Sequence, residues 1–299
     1  MVLLLDGGFE SQLIKHVKKI ERNPLWCSKY LYTLPNLVVQ THYDYVKAGA
    51  DIITTNTFQA NLKGFQEHLN LSEEESIHMI SKAVDLVHEA VKMADSDRKI
   101  LVAGSIGPYG ASLLDGSEYR GDYIDQISED ELIAWHEPRI KTLVEKKVDL
   151  LAVETIPSLK EALIILKILK NYPEQKAWIS FSIKDNDHIG NGQKFVEVVK
   201  ECWNEGSVQL VAMGMNCLHP DLVAPLLKSV EHLNIPMIVY PNSGEIWEDG
   251  IGYTNKEKTK PLVTYLPEWL ELGVQYIGGC CQSTDEDIHE MRKYLNSNQ

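Results

Sequence analysis

Long apolar runs are absent from this sequence of 299 residues, and no stretch approaches the ~20 apolar residues that a membrane-spanning helix needs. Basic residues are also few: 29 Lys and Arg stand against 43 Asp and Glu, which gives a formal net charge of −14. An acidic surface argues against nucleic acid or an anionic membrane as a partner. The apolar residues 1–5 are too short for a signal-peptide core and lack a basic leader, so we expect no secretion signal.

Cysteine is scarce as well, with five in the whole chain. An odd number without regular spacing does not predict a disulfide framework, and it fits a reducing compartment such as the cytoplasm. Residues 104–107 match neither a Walker nor a Rossmann pattern. No linker, low-complexity tract or short repeat divides the chain, so residues 1–299 are predicted to form one domain. We expect a monomer or a weak homo-oligomer.

What the sequence does contain is a regular alternation of short apolar runs and amphipathic stretches. The apolar runs predict eight strands, at residues 2–5, 51–57, 100–105, 150–154, 178–183, 210–216, 236–240 and 276–279. A helix is predicted after each, at residues 37–48, 72–94, 129–146, 158–169, 193–204, 220–232, 261–272 and 284–295. Eight such units in one chain predict a (β/α)₈ TIM barrel. A doubly wound open sheet is the alternative, although it usually needs fewer units.

Two of the predicted strands lead into cysteines. The sixth reaches Cys217, and the eighth runs through Gly278 and Gly279 into Cys280 and Cys281. Zinc binds thiolates tetrahedrally, and a catalytic site keeps one position open, so three thiols predict one zinc ion per chain. Neighbouring side chains on a strand face opposite ways. The predicted site therefore requires the strand to end and bend at the two glycines, which also permit a close approach to the ion.

The remaining candidate ligands have simpler interpretations. Cys27 lies in a predicted loop and Cys202 in a predicted helix, and we interpret both as structural or incidental. His219 is interpreted as the start of the following helix, with a fourth metal ligand as the alternative. The competing interpretation of the adjacent cysteines is a pair of small, buried apolar side chains.

Two carboxylates also stand at predicted strand ends, where barrel enzymes keep their active sites: Asp6 after the first strand and Glu154 at the end of the fourth. A carboxylate that ends a buried strand must be paired, hydrated or functional. Two at one mouth favour a shared cationic ligand such as an α-amine, and solvated rim residues are the alternative. The acidic run at residues 73–75 is instead predicted to be the solvated start of a helix after Ser72.

The longest predicted loop spans residues 107–123, after the third strand, and contains three tyrosines and several acids. A loop of this length in a βα unit can cap the mouth or bind a second substrate. Its aromatic and acidic side chains would suit a cationic ligand. A surface excursion without a functional role is the alternative.

Taken together, these motifs resemble the homocysteine S-methyltransferase family over essentially the whole chain. The resemblance is carried by residues 104–123 and by Asp6-Gly7-Gly8, Thr54-Thr55-Asn56-Thr57-Phe58, Glu154-Thr155-Ile156-Pro157, Gly214-Met215-Asn216-Cys217, Tyr240-Pro241-Asn242-Ser243-Gly244 and Gly278-Gly279-Cys280-Cys281. It implies a zinc-dependent (β/α)₈ barrel whose metal ligands are Cys217, Cys280 and Cys281. It also implies that Asp6 and Glu154 hold the homocysteine amino group, and that Thr55 lies near the homocysteine carboxylate.

The activity that the resemblance implies is methyl transfer from a sulfonium to L-homocysteine, which forms methionine. The zinc-bound thiolate would attack the methyl group in line. The loop at residues 107–123 looks like that of members using S-methylmethionine or S-adenosylmethionine, whereas the betaine-using branch has a C-terminal extension that we do not find. Candidate donor contacts are Tyr109, Glu118, Tyr119, Tyr123, Tyr240 and Trp247.

Three alternatives remain at this point. The first is a thiol methyltransferase that uses betaine or another donor. The second is a zinc hydrolase, which three anionic ligands disfavour because they weaken the metal's activation of water. The third is a non-enzymatic zinc-thiolate protein with a structural or sensor role.

Overall fold

The apolar runs form short strands in the computed structural model, which describes residues 2–17, 20, 23–248 and 252–298. The strands are β1 (Leu3–Leu4), β2 (Ile52–Thr54), β3 (Leu101–Ile106), β4 (Leu150–Ile156), β5 (Ala177–Phe181), β6 (Leu210–Asn216), β7 (Met237–Tyr240), β8 (Ile246–Glu248), β9 (Gly252–Thr254) and β10 (Val274–Ile277). Eight of them form one parallel sheet in the order β1-β10-β7-β6-β5-β4-β3-β2. A parallel bridge between Leu5 and Ile52 joins the two ends of this order, so the sheet closes on itself.

Helices occupy the connections between the strands. They are α1 (Phe9–Leu13), α2 (Tyr30–Thr33), α3 (Pro35–Ala48), α4 (Leu62–Leu69), α5 (Glu73–Ala94), α6 (Ser117–Arg120), α7 (Glu129–Glu145), α8 (Leu159–Leu169), α9 (Phe195–Gly206), α10 (Val223–Val230), α11 (Leu266–Glu271) and α12 (Asp285–Ser297). The predicted (β/α)₈ barrel is confirmed, and the assignment of residues 1–299 to one domain stays a prediction. Within the described ranges, no helix has the length and apolar character needed to cross a bilayer.

Local sequence explains where several helices begin. Ser72 caps α5: its hydroxyl accepts from the Glu75 backbone N–H, while the Glu75 carboxylate accepts from the Ser72 N–H. The acidic run at residues 73–75 therefore lies in the first turn of α5, as predicted. Two predicted helices are less regular, because 3₁₀ turns at Pro220–Leu222 and Leu262–Tyr265 precede α10 and α11. The antiparallel pair β8 and β9 was not predicted, since these three-residue strands carry no alternating pattern.

Along the strands, every second side chain points into the barrel interior. The inner apolar cluster consists of Leu5, Ile52, Ala103, Leu150, Ala152, Trp178, Ala212, Ile238 and Tyr240. Toward the carboxyl ends, the positions in phase with these residues become polar: they are Thr54, Ser105, Glu154, Ser180 and Asn216. Alternation therefore builds an apolar lower barrel beneath a polar upper layer, and the upper layer forms the floor of the mouth.

Gly214 in β6 yields a prediction about packing. A Cβ at this position would lie 1.8 Å from the carbonyl oxygen of Ile238 in β7, so the two strands would have to separate. We expect Gly214→Ala to lower the free energy of unfolding by about 3 kcal/mol, measured by denaturant titration. Gly104→Ala in β3 is the matched control, because its nearest new contact is the movable Leu143 side chain at 3.0 Å. Equal losses in the two variants would contradict this explanation.

Candidate metal centre and active site

Three thiols meet at the carboxyl end of the barrel. Cys217 follows β6, while Cys280 and Cys281 follow β10, and all three are half-buried. Their sulfur atoms lie within 4.8 Å of one another, and the Cys217 and Cys281 Sγ atoms are 3.5 Å apart. The structure thus brings together the three cysteines that the sequence singled out.

The backbone conformation at Cys217 and after β10 brings these thiols together. Asn216 faces the barrel interior, so alternation alone would turn Cys217 outward. Cys217 instead adopts a left-handed conformation with φ 56°, which breaks the alternation. On the other side β10 ends at Ile277, and the chain turns so that the Cys281 N–H donates to Asn242 Oδ1 at 3.1 Å.

The glycines before the cysteine pair are required by packing. A Cβ at Gly278 would lie 2.7 Å from Leu5 Cβ, and one at Gly279 would lie 2.2 Å from Ser283 Oγ. The expected bend is present. The close approach that the glycines permit is to Leu5, directly after β1, and to Ser283 in the turn after Cys281.

The donor set fits a zinc ion. Hydrogen bonds from the Cys217 and Cys280 thiols lower the pKa of Cys281, so the cluster already favours a thiolate. Two phenols flank the sulfurs: the Tyr119 hydroxyl lies 3.4 Å from Cys217 Sγ, and Tyr253 hydrogen-bonds to Cys281. Soft sulfur ligands suit zinc and disfavour magnesium or calcium, and three of them leave one tetrahedral position for a ligand. Polar partners beside metal ligands commonly orient them.

Other sequence candidates stay outside this group. His219 Nδ1 accepts from the Asp221 N–H at 3.3 Å and caps the turn before α10, as its main interpretation predicted. Within the described ranges, the one group able to hold a metal contains only the three thiols. Cys27 and Cys202 are buried and free.

Asp6 is buried just beyond β1. Its carboxylate accepts from the Thr54 N–H at 2.8 Å and from the Thr54 hydroxyl at 3.0 Å. Burial raises the pKa of Asp6 to about 8, against the lowering effect of these bonds, and the charge of Glu154 adds to the increase. The two carboxylates therefore repel one another at the same mouth.

Glu154 lies in β4 and points into the barrel. Its carboxylate accepts a hydrogen bond from the Ser105 hydroxyl and is also hydrogen-bonded to Tyr240. Burial raises the pKa of Glu154 to about 7, and the nearby Cys281 contributes to the increase. In the part of the chain that the structure describes, neither Asp6 nor Glu154 forms an ion pair with a basic side chain, although the charge of Arg139 opposes the increase in the pKa of Glu154. A cationic ligand would relieve both the desolvation and the repulsion.

Comparison with known proteins places this arrangement in a family. The profile described as homocysteine S-methyltransferase matches residues 3–295. The chain belongs to the homocysteine S-methyltransferase family. The methyltransferase class inferred from the motifs is thereby confirmed.

Individual relatives support the same assignment. The chain is 39% identical to the betaine-homocysteine S-methyltransferase of Drosophila melanogaster, over 99% of this chain and 94% of the relative. It is 38% identical to the homocysteine S-methyltransferase of Escherichia coli strain K12, over 97% and 94% respectively. The crystal structure of the homocysteine methyltransferase MmuM from Escherichia coli in its metallated form matches with a TM-score of 0.86 at 36% identity, covering 98% of this chain and 96% of that one.

Thr55 directly follows β2 and lies beside β3 in the wall of the barrel. Its hydroxyl accepts from the Ser105 N–H at 3.0 Å and lies 2.6 Å from Thr57 Oγ1. The side chain is buried, and these contacts already occupy its hydroxyl. A contact between Thr55 and substrate stays a prediction.

Asn216 supports the site more extensively than the sequence suggested. Its Oδ1 accepts from the Thr155 N–H and the Ser180 hydroxyl, both at 2.8 Å, and its Nδ2 donates to Thr155 Oγ1 at 2.7 Å. These bonds hold Thr155 in a left-handed conformation with φ 61°, directly after Glu154. An amide ending an otherwise apolar strand was the available signal. Tyr253, beside Cys281, had none, because it lies in a region without a recognisable pattern.

The six predicted donor contacts lie in different surroundings, and Tyr109 packs against the rings of Tyr123 and Trp135. Glu118 and Tyr119 lie on α6, and Tyr119 reaches the thiols. Tyr123 is buried and donates its hydroxyl to Glu161, away from the thiols. The Tyr240 hydroxyl accepts from Trp178 Nε1 at 2.9 Å within the barrel. The Trp247 side chain lies outside the described part of the structure.

Asp6 also yields a prediction about stability and pH. Its pKa is about 8 in the folded protein against an ordinary value of 3.8, so the folded state binds this proton more tightly. The stability from this proton is present at low pH and is lost as the pH rises toward 8. Asp6→Asn lacks this proton and does not share the loss. The free energy of unfolding of the variant minus that of wild type should therefore increase with pH, by up to about 1.4 kcal/mol per pH unit, and level off above pH 8.

Urea titrations of metal-free, reduced protein from pH 5 to 9 would measure this difference. Asp97→Asn is the control, because Asp97 is exposed. A difference between Asp6→Asn and wild type that does not change with pH would contradict the prediction.

Proposed function

We propose that this protein transfers a methyl group from a sulfonium donor, S-methylmethionine or S-adenosylmethionine, to the thiol of L-homocysteine, forming methionine. The proposal is carried by one observation: a three-thiol cluster and two buried carboxylates share one barrel mouth. Both groups lie at the carboxyl end of the barrel, where the charge of Cys281 contributes to the raised pKa of Glu154. Homocysteine has a thiol and an amine on one short chain, and this pair of groups could recognise both ends.

We propose zinc as the metal, with one ion per chain held by Cys217, Cys280 and Cys281. When bound, zinc supplies a Lewis acid that lowers the pKa of a substrate thiol, so that the nucleophilic thiolate predominates at neutral pH. Three anionic sulfur ligands make water activation less favourable, which supports thiol chemistry over hydrolysis. The non-enzymatic alternative loses its support because the chain belongs to an enzyme family.

The carboxylates would bind the homocysteine ammonium group. Binding a cation beside Asp6 and Glu154 stabilises their ionised forms and lowers the pKa values that burial has raised. With the amine held, the substrate thiol is directed toward the cysteine cluster. Thr55 is proposed to lie near the substrate carboxylate, on the strength of the family resemblance.

Transfer then needs little acid–base chemistry from the protein. The homocysteine thiol gives its proton to solvent, its sulfur forms a bond to the donor methyl carbon, and the bond between that carbon and the sulfonium sulfur breaks. The electron pair stays on the leaving sulfur, which becomes a neutral thioether. Glu118 and Tyr119 would attract the cationic donor through a carboxylate and an aromatic face. Holding the two substrates in line would supply much of the rate acceleration.

Betaine is the second candidate donor. The Drosophila melanogaster relative is named for betaine, and the match covers 94% of its length. Chain length therefore does not separate the two donor classes, contrary to the expectation based on a C-terminal extension. A quaternary ammonium would also be attracted by aromatic and acidic side chains.

The metal assignment predicts a specific pattern of zinc affinity. Cys217→Ser, Cys280→Ser and Cys281→Ser should each weaken zinc binding on the order of 100-fold or more, because each removes a thiolate ligand. Competition with a chromogenic chelator measures the affinity. Cys202→Ala, on α9, should retain wild-type affinity. Full zinc affinity in any of the three serine variants would remove that residue from the ligand set.

The substrate assignment predicts methionine formation by reduced, zinc-loaded protein from homocysteine and a sulfonium donor. Glu154→Gln should raise the KM for homocysteine about tenfold or more, because it removes a charged partner of the amine, with little change in the KM for the donor. Glu205→Gln, on the exposed face of α9, is the control. Product with betaine alone would favour the second donor class, and no product with any donor would contradict the proposed function.

A further inference from the structure

Three ionisable side chains are buried beneath the loop at residues 107–123. His136 and Arg139 belong to α7 and Glu161 to α8, and their exposed fractions are 0%, 2% and 0%. Buried charges are costly unless they are well paired and hydrogen-bonded. The three side chains are hydrogen-bonded to one another and to the loop.

The carboxylate of Glu161 accepts hydrogen bonds from both ends of the loop. Its Oε1 accepts from the Tyr109 N–H at 2.7 Å, and its Oε2 accepts from the Tyr123 hydroxyl. Tyr109 stands near the start of the loop and Tyr123 at its end. A third donor comes from the helix side, because His136 Nε2 lies 2.8 Å from Oε1.

Arg139 determines which nitrogen of His136 carries the proton. Arg139 Nη2 lies 3.2 Å from His136 Nδ1, and a guanidinium can only donate. Nδ1 is therefore the acceptor, and Nε2–H donates to Glu161. Burial lowers the pKa of His136, consistent with a neutral ring between the two charges. Arg139 also donates to the carbonyls of Phe58 at 2.9 Å and Gly107 at 2.6 Å, so it holds the first residue of the loop.

Close packing connects this network to α6. A Cβ on Gly110 would lie 2.4 Å from the Tyr123 ring and 2.7 Å from the Glu118 nitrogen, so Tyr123 and Glu118 are packed against one backbone segment. Tyr119 reaches Cys217. Among the described residues, Glu118 Oε2 is buried without a hydrogen-bond partner. Movement of Tyr123 would thus displace α6, which carries Glu118 and the Tyr119 side chain that reaches Cys217.

We infer that Glu161, oriented by His136 and Arg139, is a positioning residue for the methyl donor: it holds the loop at residues 107–123 so that Glu118 and Tyr119 face the donor site. This inference rests on the proposed function. A carboxylate is suited to the role because both of its oxygens accept hydrogen bonds. An amide has one accepting oxygen, so in Glu161→Gln an NH₂ group would face either the Tyr109 and His136 donors or the Tyr123 hydroxyl, which would then have to accept instead of donate. In both cases the negative charge that stabilises the Arg139 guanidinium is lost.

Steady-state kinetics of the zinc-loaded protein tests the inference. Glu161→Gln should raise the donor KM about tenfold, while the homocysteine Kd and the zinc affinity stay within about twofold of wild type. Tyr123→Phe, which removes one of the three donors, should change the donor KM in the same direction by less. Asp51→Asn is the matched control: Asp51 also accepts a backbone N–H and pairs with Arg98 and Arg292, but at the opposite end of the barrel.

Hydrogen exchange supplies a readout independent of activity. Amides of residues 107–123 should exchange faster in Glu161→Gln than in wild type, with β4 unchanged, and Asp51→Asn should leave the loop unaffected. Unchanged loop exchange in Glu161→Gln would overturn the inference. Faster exchange with an unchanged donor KM, or with equal changes for both substrates, would overturn the donor-positioning role. Absence of turnover by wild type is a failure of the proposed function, and loop exchange still decides whether Glu161 holds the loop.

Discussion

The metal site depends on the distance between the carboxyl ends of β6 and β10, and the parallel ladder that joins both strands to β7 sets this distance. Met215 of β6 and Ile277 of β10 are both in register with Val239 of β7, so the two outer strands reach the mouth at the same level. At a spacing of about 4.8 Å between neighbours, their ends are about 10 Å apart. The left-handed residue Cys217 and the turn beyond Ile277 close this gap, which leaves 3.5 Å between two of the sulfurs.

Ionisable side chains are buried around this mouth in two different settings. Among the described residues, Asp6 and Glu154 form no ion pair, and burial raises the pKa of both carboxyls even though the charge of Arg139 opposes the increase at Glu154. Arg139 and Glu161 are buried as a connected set, joined through neutral His136 and bonded further to backbone acceptors and donors of the loop. The first arrangement suits a site that receives a cation, whereas the second suits a structural connection.

Much of the fold and part of the site could be predicted from local pattern. The eight strand–helix units follow from apolar runs and amphipathic stretches, and the start of α5 follows from its capping residues, because these signals involve neighbours in the chain. Cysteines and carboxylates at strand ends could be assigned to one mouth because parallel strands in a barrel place their carboxyl ends together. The sequence carried no comparable signal for Tyr253 or for the irregular starts of α10 and α11.

Local sequence pattern was sufficient to predict the barrel class and the types of side chain that follow the strands at the mouth. Tertiary structure alone decided how those side chains are used. Gly278 and Gly279 are required by β1 and by the turn at Ser283, and the Thr55 hydroxyl is bound to the neighbouring strand. Glu161 joins residues 52 and 38 positions away in the chain. Such contacts depend on packing between distant segments, and no local periodicity encodes which partners meet.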